Sequence, residues 1–468
     1  MTAGRDAPAA GTSTKRLLSA AMLGVASGAI LVPLNSTMLA VALPDVGQDF
    51  GLGANSVSSL VTLYLGAVAI ALPVGGSIGD RYGHRPAFLL GVVAFAAASL
   101  LAALATSFEV LEVSRVGQAA SGALISTSSA ALIRESAPPD RTGEAFGLFD
   151  LLVSTSAAVG PFIGGLLVGG FGWRSLFVLA IPMGIVSAAF VGLALRRDRL
   201  DHSAAGRRAN ASIDVPGLVL LALAIVAFLV AIRAEQGSLA TVAAVALVPL
   251  LAMFVAVELR SQRPAVDPRL LVHRPFAAAL LGVFGSTVIL HGSFVLVPFL
   301  VESLLHETPL TSGVVLLGLA GVGAIVAPFG GRFSDQRGRR IVVVTGASIS
   351  AVGLAGLWFG AAGATALSVA AFLCVVGFGN GLTSPRQAAA LESVTPDRVG
   401  MAAGTYYTGR YLGGVVGASL AGAILGSQVT IAGVATGFAV LAAVGVGVAL
   451  VSLGLRGAKA SAPLLPFR

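Results

Sequence analysis

Gly76-Ser77-Ile78-Gly79-Asp80-Arg81-Tyr82-Gly83-His84-Arg85 and Gly331-Arg332-Phe333-Ser334-Asp335-Gln336-Arg337-Gly338-Arg339-Arg340 are written on one template, G-x-x-x-D-x-x-G-x-R, 255 positions apart. Each follows a long apolar run and sets a carboxylate between glycines, ahead of basic residues. A short charged turn that recurs between hydrophobic segments marks a duplicated membrane bundle, with the same hairpin in each half. Such a duplication points to a transporter.

Composition places the chain in the same class. Of 468 residues 56% are hydrophobic and 11% charged, and the mean hydropathy is +0.93; a soluble domain of this length has too little interior for that apolar surface. The 60 glycines fit helices that pack in lipid through close backbone approach. Cys374 stands alone in an apolar run, which excludes an intramolecular disulfide and a Zn site built on a cysteine pair. The net charge of +8 sits in short loops between apolar runs, so it reads as a topology signal and not as a nucleic-acid surface. The partner this composition implies is the lipid bilayer.

Apolar runs bounded by Gly, Pro and charge breaks predict fourteen spans, at roughly 17–43, 56–78, 87–106, 110–134, 143–170, 175–195, 214–233, 239–259, 275–301, 312–331, 341–361, 365–391, 400–426 and 430–455. With both termini cytoplasmic, the inside loops hold Arg81, Arg85, Arg134, Arg141, Arg196, Arg197, Arg199, Arg207, Arg208, Arg260, Arg263, Arg269, Arg274, Arg332, Arg337, Arg339 and Arg340, and the outside loops only Arg174 and Arg233. The first apolar run is too long for a cleaved leader and stays as a helix.

The repeat extends beyond the opening motif. Pro139-Asp140-Arg141-Thr142-Gly143 recurs as Pro396-Asp397-Arg398-Val399-Gly400, and Gly160-Pro161-Phe162-Ile163-Gly164-Gly165 as Gly417-Ala418-Ser419-Leu420-Ala421-Gly422, both 257 positions on. Spans 1–6 therefore match spans 9–14, and spans 7 and 8 form an inserted hairpin. The expected fold is an all-α polytopic membrane protein with two pseudo-symmetric six-helix bundles and an inserted helix pair. Its expected parts are a disordered N-terminus (1–16), an N-terminal bundle (17–196), central linkers with spans 7 and 8 (197–274), a C-terminal bundle (275–456) and a cytoplasmic tail (457–468).

Four segments of the chain resemble the major facilitator superfamily, in its fourteen-span drug:proton antiporter branch. Gly76 to Arg85 resembles the loop 2–3 signature, and Arg115-Val116-Gly117-Gln118 the R-x-x-Q-G element of span 4, with Ala119 at the Gly position. Gly160-Pro161-x-x-Gly164-Gly165 is similar to the antiporter signature of span 5. Leu34-Asn35-Ser36-Thr37-Met38-Leu39-Ala40-Val41-Ala42-Leu43-Pro44 resembles the first-span motif of the branch. The resemblance implies a bacterial cytoplasmic-membrane exporter of lipophilic or amphipathic drugs or antibiotics. It would work without a cofactor, as a monomer and not as an enzyme, exchanging its substrate for protons by rocker-switch alternating access.

Within that resemblance each motif keeps a physical reading of its own. Gly76, Asp80, Arg81, Gly83 and Arg85, with Gly331, Asp335, Gly338 and Arg339, form two conformational latches: Asp80 is expected at the positive start of span 13 near Gly400, and Asp335 at the start of span 5 near Gly143. A turn cap with a topology signal is the alternative. Gly160, Pro161, Gly164 and Gly165 form a hinge, because Pro161 bends span 5 and the glycines let the bend pack; the repeat has Ala418 and Ala421 in place of Pro161 and Gly164.

Charges inside spans are costly and each one asks for a role. Glu112 and Arg115, three residues apart on one face, are either a structural pair or part of the proton path, the role the resemblance gives Arg115. The position of Asn35 is commonly an aspartate in this branch, and Asn does not titrate. Asn35 plus 256 is His291, mid-span and able to titrate near neutral pH, so His291 and Asp150 compete as proton carriers. Asn35, Ser36, Tyr64, His291, Tyr406, Tyr407 and Arg410 are the polar groups expected in a largely apolar cavity. Two other functions stay open: a transporter of a metabolite or lipid without proton antiport, and a non-transporting membrane sensor or intramembrane enzyme, against which the lack of HExxH and GxxxxGK[ST] patterns counts.

Overall fold

The computed structural model describes residues 20–137, 142–194, 214–233, 238–261, 264, 266–395 and 399–455. The expected tails, the linker 197–213 and both Pro-Asp-Arg turns lie outside the described residues.

Among the described residues, fourteen helices run 17 residues or longer: α1 (Ala20–Phe50), α2 (Ser59–Tyr82), α3 (His84–Ala103), α4 (Phe108–Ser136), α5 (Thr142–Phe171), α6 (Ser175–Ala194), α7 (Val215–Arg233), α8 (Ser238–Arg260), α9 (Arg274–Pro298), α10 (Pro309–Arg337), α11 (Arg339–Gly360), α12 (Ala366–Leu382), α13 (Val399–Leu425) and α14 (Ile431–Ser452). Twelve helical segments are long and apolar enough to cross a membrane. The other two long helices are α7, whose described apolar stretch is Val215–Ala231, and α13, which carries Tyr406, Tyr407, Arg410 and Tyr411. Helices are the form such sequences take in lipid, because each backbone N–H must find its acceptor within the segment.

The helix ends are built differently at the two ends of the bundle. At the end where α4, α10, α12 and α14 begin, hydroxyl side chains cap the helices: Ser107, Thr308 and Thr430 accept from Val110, Thr311 and Gly433, and Thr365 forms a capping box with Ser368. At the opposite end lie the two duplicated turns. Gly83 (φ 94°, ψ 140°) and Gly338 (φ 87°, ψ 141°) have one geometry, a region of backbone space that side chains exclude. The duplicated motif is thus a duplicated turn.

Three boundaries depart from the sequence reading. α1 passes through Pro44 and ends at Phe50, not at residue 43, since membrane helices tolerate proline where neighbours and side chains satisfy the freed groups. α9 runs on through a π-turn, Phe299–Leu304. The expected span 365–391 is broken at Thr383–Pro385 and resumes as Arg386–Leu391, because Pro385 has no N–H to continue the ladder.

The packing repeats. α1 packs on α5 and α6, α2 on α4, and α3 on α4 and α6; α9 packs on α13 and α14, α10 on α12, and α11 on α12 and α14. The two groups meet through α2 against α13, α5 against α10 and α1 against α9, while α7 and α8 pack on each other and α7 reaches α2 and α13. Leu239, Val242, Val245, Val248 and Met253 of α8 are exposed, an apolar face suited to lipid.

Candidate functional site

Among the described residues, the largest fully buried side chains are two arginines, one of them Arg115 of α4. Its Nη1 donates to Asn35 Oδ1 and to Gln118 Oε1, both at 2.7 Å, and its Nε donates to the Leu60 carbonyl at 3.3 Å. The guanidinium carbon lies 4.2 Å from the centroid of the Tyr64 ring, and the Tyr64 hydroxyl donates to the Val32 carbonyl. Gln118 in turn donates to Ser99 at 2.8 Å. A buried cation is thus held by dipoles, a π face and a backbone carbonyl, contributed by α1, α2 and α4. Glu112 accepts from Ser59 at 2.5 Å. The sequence reading selected Asn35, Tyr64 and Arg115 separately; the fold joins them and adds Ser99, a lone hydroxyl on an apolar helix.

His291 lies on α9, at the junction with the other group. Its Nδ1 is 3.1 Å from the Thr287 carbonyl, so Nδ1 carries the proton in that bond, and its ring meets Phe294 edge-on at 6.0 Å. Gly414 of α13 fits between Leu65 and His291: a methyl group there would lie 2.8 Å from Leu65 and 3.0 Å from His291 Nδ1. Leu65 is the neighbour of Tyr64, so the Arg115 network and His291 approach one seam from its two sides. Asp150 and Arg410 are exposed, Ser36 is half-buried and Tyr406 is buried. Tyr407 accepts from Gln387 at 3.0 Å.

The glycines expected at a hinge are places where backbones touch. Gly160 abuts Thr37 and the Leu34 carbonyl of α1, and a methyl group at Gly164 would lie 2.8 Å from the Met38 carbonyl. A methyl group at Gly165 would lie 2.5 Å from the Pro309 carbonyl of α10, and Gly313 of α10 abuts the Pro161 carbonyl. The repeat does the same with other residues: Gly417 abuts Val288 of α9, and Gly422 abuts Ser58 and Ala54 at the start of α2. Nearby, Asn55 donates its N–H to the Gly426 carbonyl at 3.2 Å.

At the end with the duplicated turns, a methyl group at Gly76, Gly147 or Gly331 would meet none of the described residues within 4 Å. Their neighbours are tight: Gly79 against His84, and Gly330 against the Gly381 carbonyl. Asp80 Oδ1 lies 3.5 Å from His84 Nε2, Arg81 stands 5.5 Å from the Tyr82 ring, and Arg85 donates to the Gly192 carbonyl at 3.2 Å. In the second half Arg339 makes a two-pronged pair with Glu392, at 2.5 and 2.6 Å. Asp335 is exposed. Gly143 and Gly400, near which the two carboxylates were expected to dock, lie in the first turns of α5 and α13; the turns before those helices lie outside the described residues.

Sequence reasoning missed Glu392 and Arg386. Arg386 is 2% exposed and donates to the Gly282 carbonyl at 2.7 Å and to Ser286 at 2.8 Å. An arginine inside the expected twelfth span was the available signal.

Parallel groups of membrane-length helices, joined by short turns and meeting at glycine-lined seams, define a transporter fold. The chain matches the Major Facilitator Superfamily over residues 25–418, with a further match over 283–465. It belongs to that superfamily and is a transporter, not an enzyme. It is 31% identical to the MFS-type transporter YvkA of Bacillus subtilis (92% of this chain, 94% of that one) and 31% identical to the tetracenomycin C resistance and export protein of Streptomyces glaucescens (87% and 76%). It is 30% identical to a multidrug resistance protein B homolog of Mycobacterium tuberculosis (85% and 74%). A solved POT family transporter shares the fold, with a TM-score of 0.68 at 17% identity over 92% of this chain and 94% of that one.

Proposed function

We propose that the chain is a proton-coupled exporter of lipophilic or amphipathic compounds, drugs and antibiotics among them, working in the bacterial cytoplasmic membrane as a monomer with both termini inside. Its fourteen long helices are read as fourteen spans, α1–α6 and α9–α14 forming the two rocking bundles and α7–α8 the inserted hairpin. The observation that carries the reading is the asymmetry of the seam. At the end holding the hydroxyl caps, the two bundles touch at Gly165–Pro309, Gly313–Pro161 and Gly422–Ser58; at the end holding the duplicated turns, Gly76, Gly147 and Gly331 meet none of the described residues within 4 Å. That is an arrangement closed to the outside and open to the cytoplasm.

Asp150 and Arg410 stay exposed within membrane-length helices, which favours their facing a water-filled cleft over facing lipid. The names of the tetracenomycin and multidrug relatives support the substrate class. In this inward-open arrangement Asp80 and Asp335 are released latches, and docking them at the starts of α13 and α5 favours the outward-open state.

The test is a pH jump across proteoliposomes, comparing His291→Ala, Asp150→Asn and Asp80→Asn with the unaltered protein. Proton-dependent extrusion of a lipophilic dye that falls in the first two variants supports the coupling assignment. Undiminished exchange in both refutes it.

A second reading, transport of a metabolite without proton exchange, draws on Asn35. The residue standing where a titrating aspartate is expected is an amide bonded to Arg115. A relative 27% identical over 80% of this chain is named a riboflavin transporter. Transport indifferent to pH would favour this reading.

A further inference from the structure

Glu302 belongs to no motif singled out above. It sits in the π-turn that follows α9, Phe299–Leu304, where the ladder shifts so that Leu305 donates to the Leu300 carbonyl and Glu307 to the Val301 carbonyl, both at 3.0 Å. His306 directly after it holds φ 53°. Such a turn re-aims one side chain out of the regular helical face, and it recurs at functional sites. Here it turns a carboxyl into packed protein.

The turn packs on α1, α10 and α14 as well as on its own helix. Glu302 Oε1 is buried, and beside it lies the hydroxyl of Ser312, a wholly buried residue of α10. Ser312 lies between Leu310 and Gly313, the residues that touch Gly165 and Pro161 of α5. A buried carboxyl oxygen and a buried hydroxyl therefore lie together at the place where the two bundles meet.

The acidic groups around the turn argue against a buried carboxylate. From α1 come Asp45, whose field reaches Glu302, and Asp49, which is taken by Arg174 at 2.8 Å and by Trp173 at 3.1 Å. The loop before α10 adds His306 and Glu307, both exposed. The first turns of α10 and α14 carry no acidic residue, and neither helix begins with a basic one; the ionisable group of α9 on this side is His291, three turns away. A lone ionised carboxylate in such a place is strongly disfavoured, and a carboxylic acid is not. As an acid, Glu302 also has a proton to donate to the Ser312 oxygen.

We propose that Glu302 takes up a proton from the outer side of the membrane, and that its neutralisation is the condition for the outer seam between α5 and α10 to close. The step forms one O–H bond on a carboxylate oxygen from an external hydronium ion, and nothing is oxidised or reduced. It deepens the proposed function, resting on its assignment of the capped end as the outer one. It also gives external protons a point of action in a chain where Asn35 replaces the expected acid. Glu302 is a positioning residue: it gates the seam and does not touch the substrate.

The experiment measures distances by electron paramagnetic resonance in lipid nanodiscs, in a Cys374→Ser background, from pH 5 to pH 9. One spin-label pair, Gln48→Cys with Leu367→Cys, spans the outer seam; another, Tyr82→Cys with Gln336→Cys, spans the inner one. With Glu302 intact, the outer distance should lengthen as pH rises, along a single titration, while the inner one shortens. Glu302→Gln should stay closed outside across the range, and Glu302→Asp should restore the titration. Asp45→Asn should move the midpoint to lower pH, because a neighbouring negative charge that favours proton uptake is gone.

The same titration in Glu302→Gln as in the unaltered chain overturns the proposal. If no condition, including added dye, moves the two distances in opposite senses, the alternating-access reading itself fails. Movement driven by dye but indifferent to pH spares that reading and overturns the role of Glu302.

Discussion

Arg115 donates to Asn35 across 2.7 Å, from α4 to α1, in a pocket where Arg115 is 1% and Asn35 3% exposed. The cation has a neutral amide as its partner, so its charge is offset by dipoles, by the Tyr64 ring and by the Leu60 carbonyl.

Removing the cation leaves Asn35 and Gln118 facing a hole. Arg115→Ala is therefore expected to destabilise the protein by about 3 kcal/mol or more, since unsatisfied buried polar groups add to the lost packing. Asn35→Asp gives the cation a full counter-charge and should raise the melting temperature. Thermal unfolding in detergent, followed by size-exclusion, reads both; an unchanged melting temperature in Arg115→Ala would show that the network contributes nothing.

Gly164 and Gly165 are adjacent but face different partners. Gly164 abuts Met38 within the first bundle, and Gly165 abuts Pro309 of the second. Gly164→Val should destabilise every state, by about 1–3 kcal/mol as overpacking does. Gly165→Val should instead wedge the outer seam open. Labelling of an outer-seam cysteine by a membrane-impermeant maleimide separates the two: faster labelling is expected for the Gly165 variant at little cost in stability.

Gly83 and Gly338 hold matching positive φ values. Alanine at either should cost on the order of 1–3 kcal/mol, because the conformation is essentially reserved for glycine. The double variant should show nearly additive losses in thermal unfolding, the sites being in separate turns.

The Arg339–Glu392 pair has a pH signature. The Arg339 guanidinium holds the Glu392 carboxyl below the usual carboxylate range, so the folded protein binds this proton less readily than the unfolded chain. The stabilisation is present above the ordinary glutamate value of about 4.3 and is lost as pH falls through the lowered folded value. Glu392 is 63% exposed, which limits the effect to about 1 kcal/mol or less. Glu392→Gln should melt slightly lower than the unaltered chain at pH 7 and together with it near pH 3.

Much of the fold was legible because lipid leaves a chain few choices. α5, α6 and α7 begin and end within a residue of the runs read from sequence, since apolar length and Gly, Pro or charge breaks decide a helix in lipid directly. Boundaries failed at prolines in both senses, Pro44 being read as a stop and Pro385 read through. Pro44 lies inside α1 while Pro385 breaks the helix after α12, and nothing local to the two residues distinguishes them. The break after α12 lets Arg386 reach Gly282 and Ser286, a contact about a hundred residues away in the chain.

The site was legible in its members and not in its connections. Arg115, Asn35 and Tyr64 each stand out, as a charge, an amide and a phenol within apolar runs, yet Glu112 at i−3 was the nearer partner on paper. Arg115 turns to Asn35, 80 positions earlier, because α1 packs against α4. Glu302 gave no signal, as a carboxylate near a span end reads as an ordinary boundary charge until the π-turn buries it.

The sequence by itself determined that this chain is a membrane-embedded, duplicated helical protein: apolar length and repeat offset are local and additive, and lipid enforces them residue by residue. Tertiary structure alone decided which end of the seam is closed, where Gly165 meets Pro309 and where Glu302 loses its water. Those depend on how two packed groups of helices lean on each other.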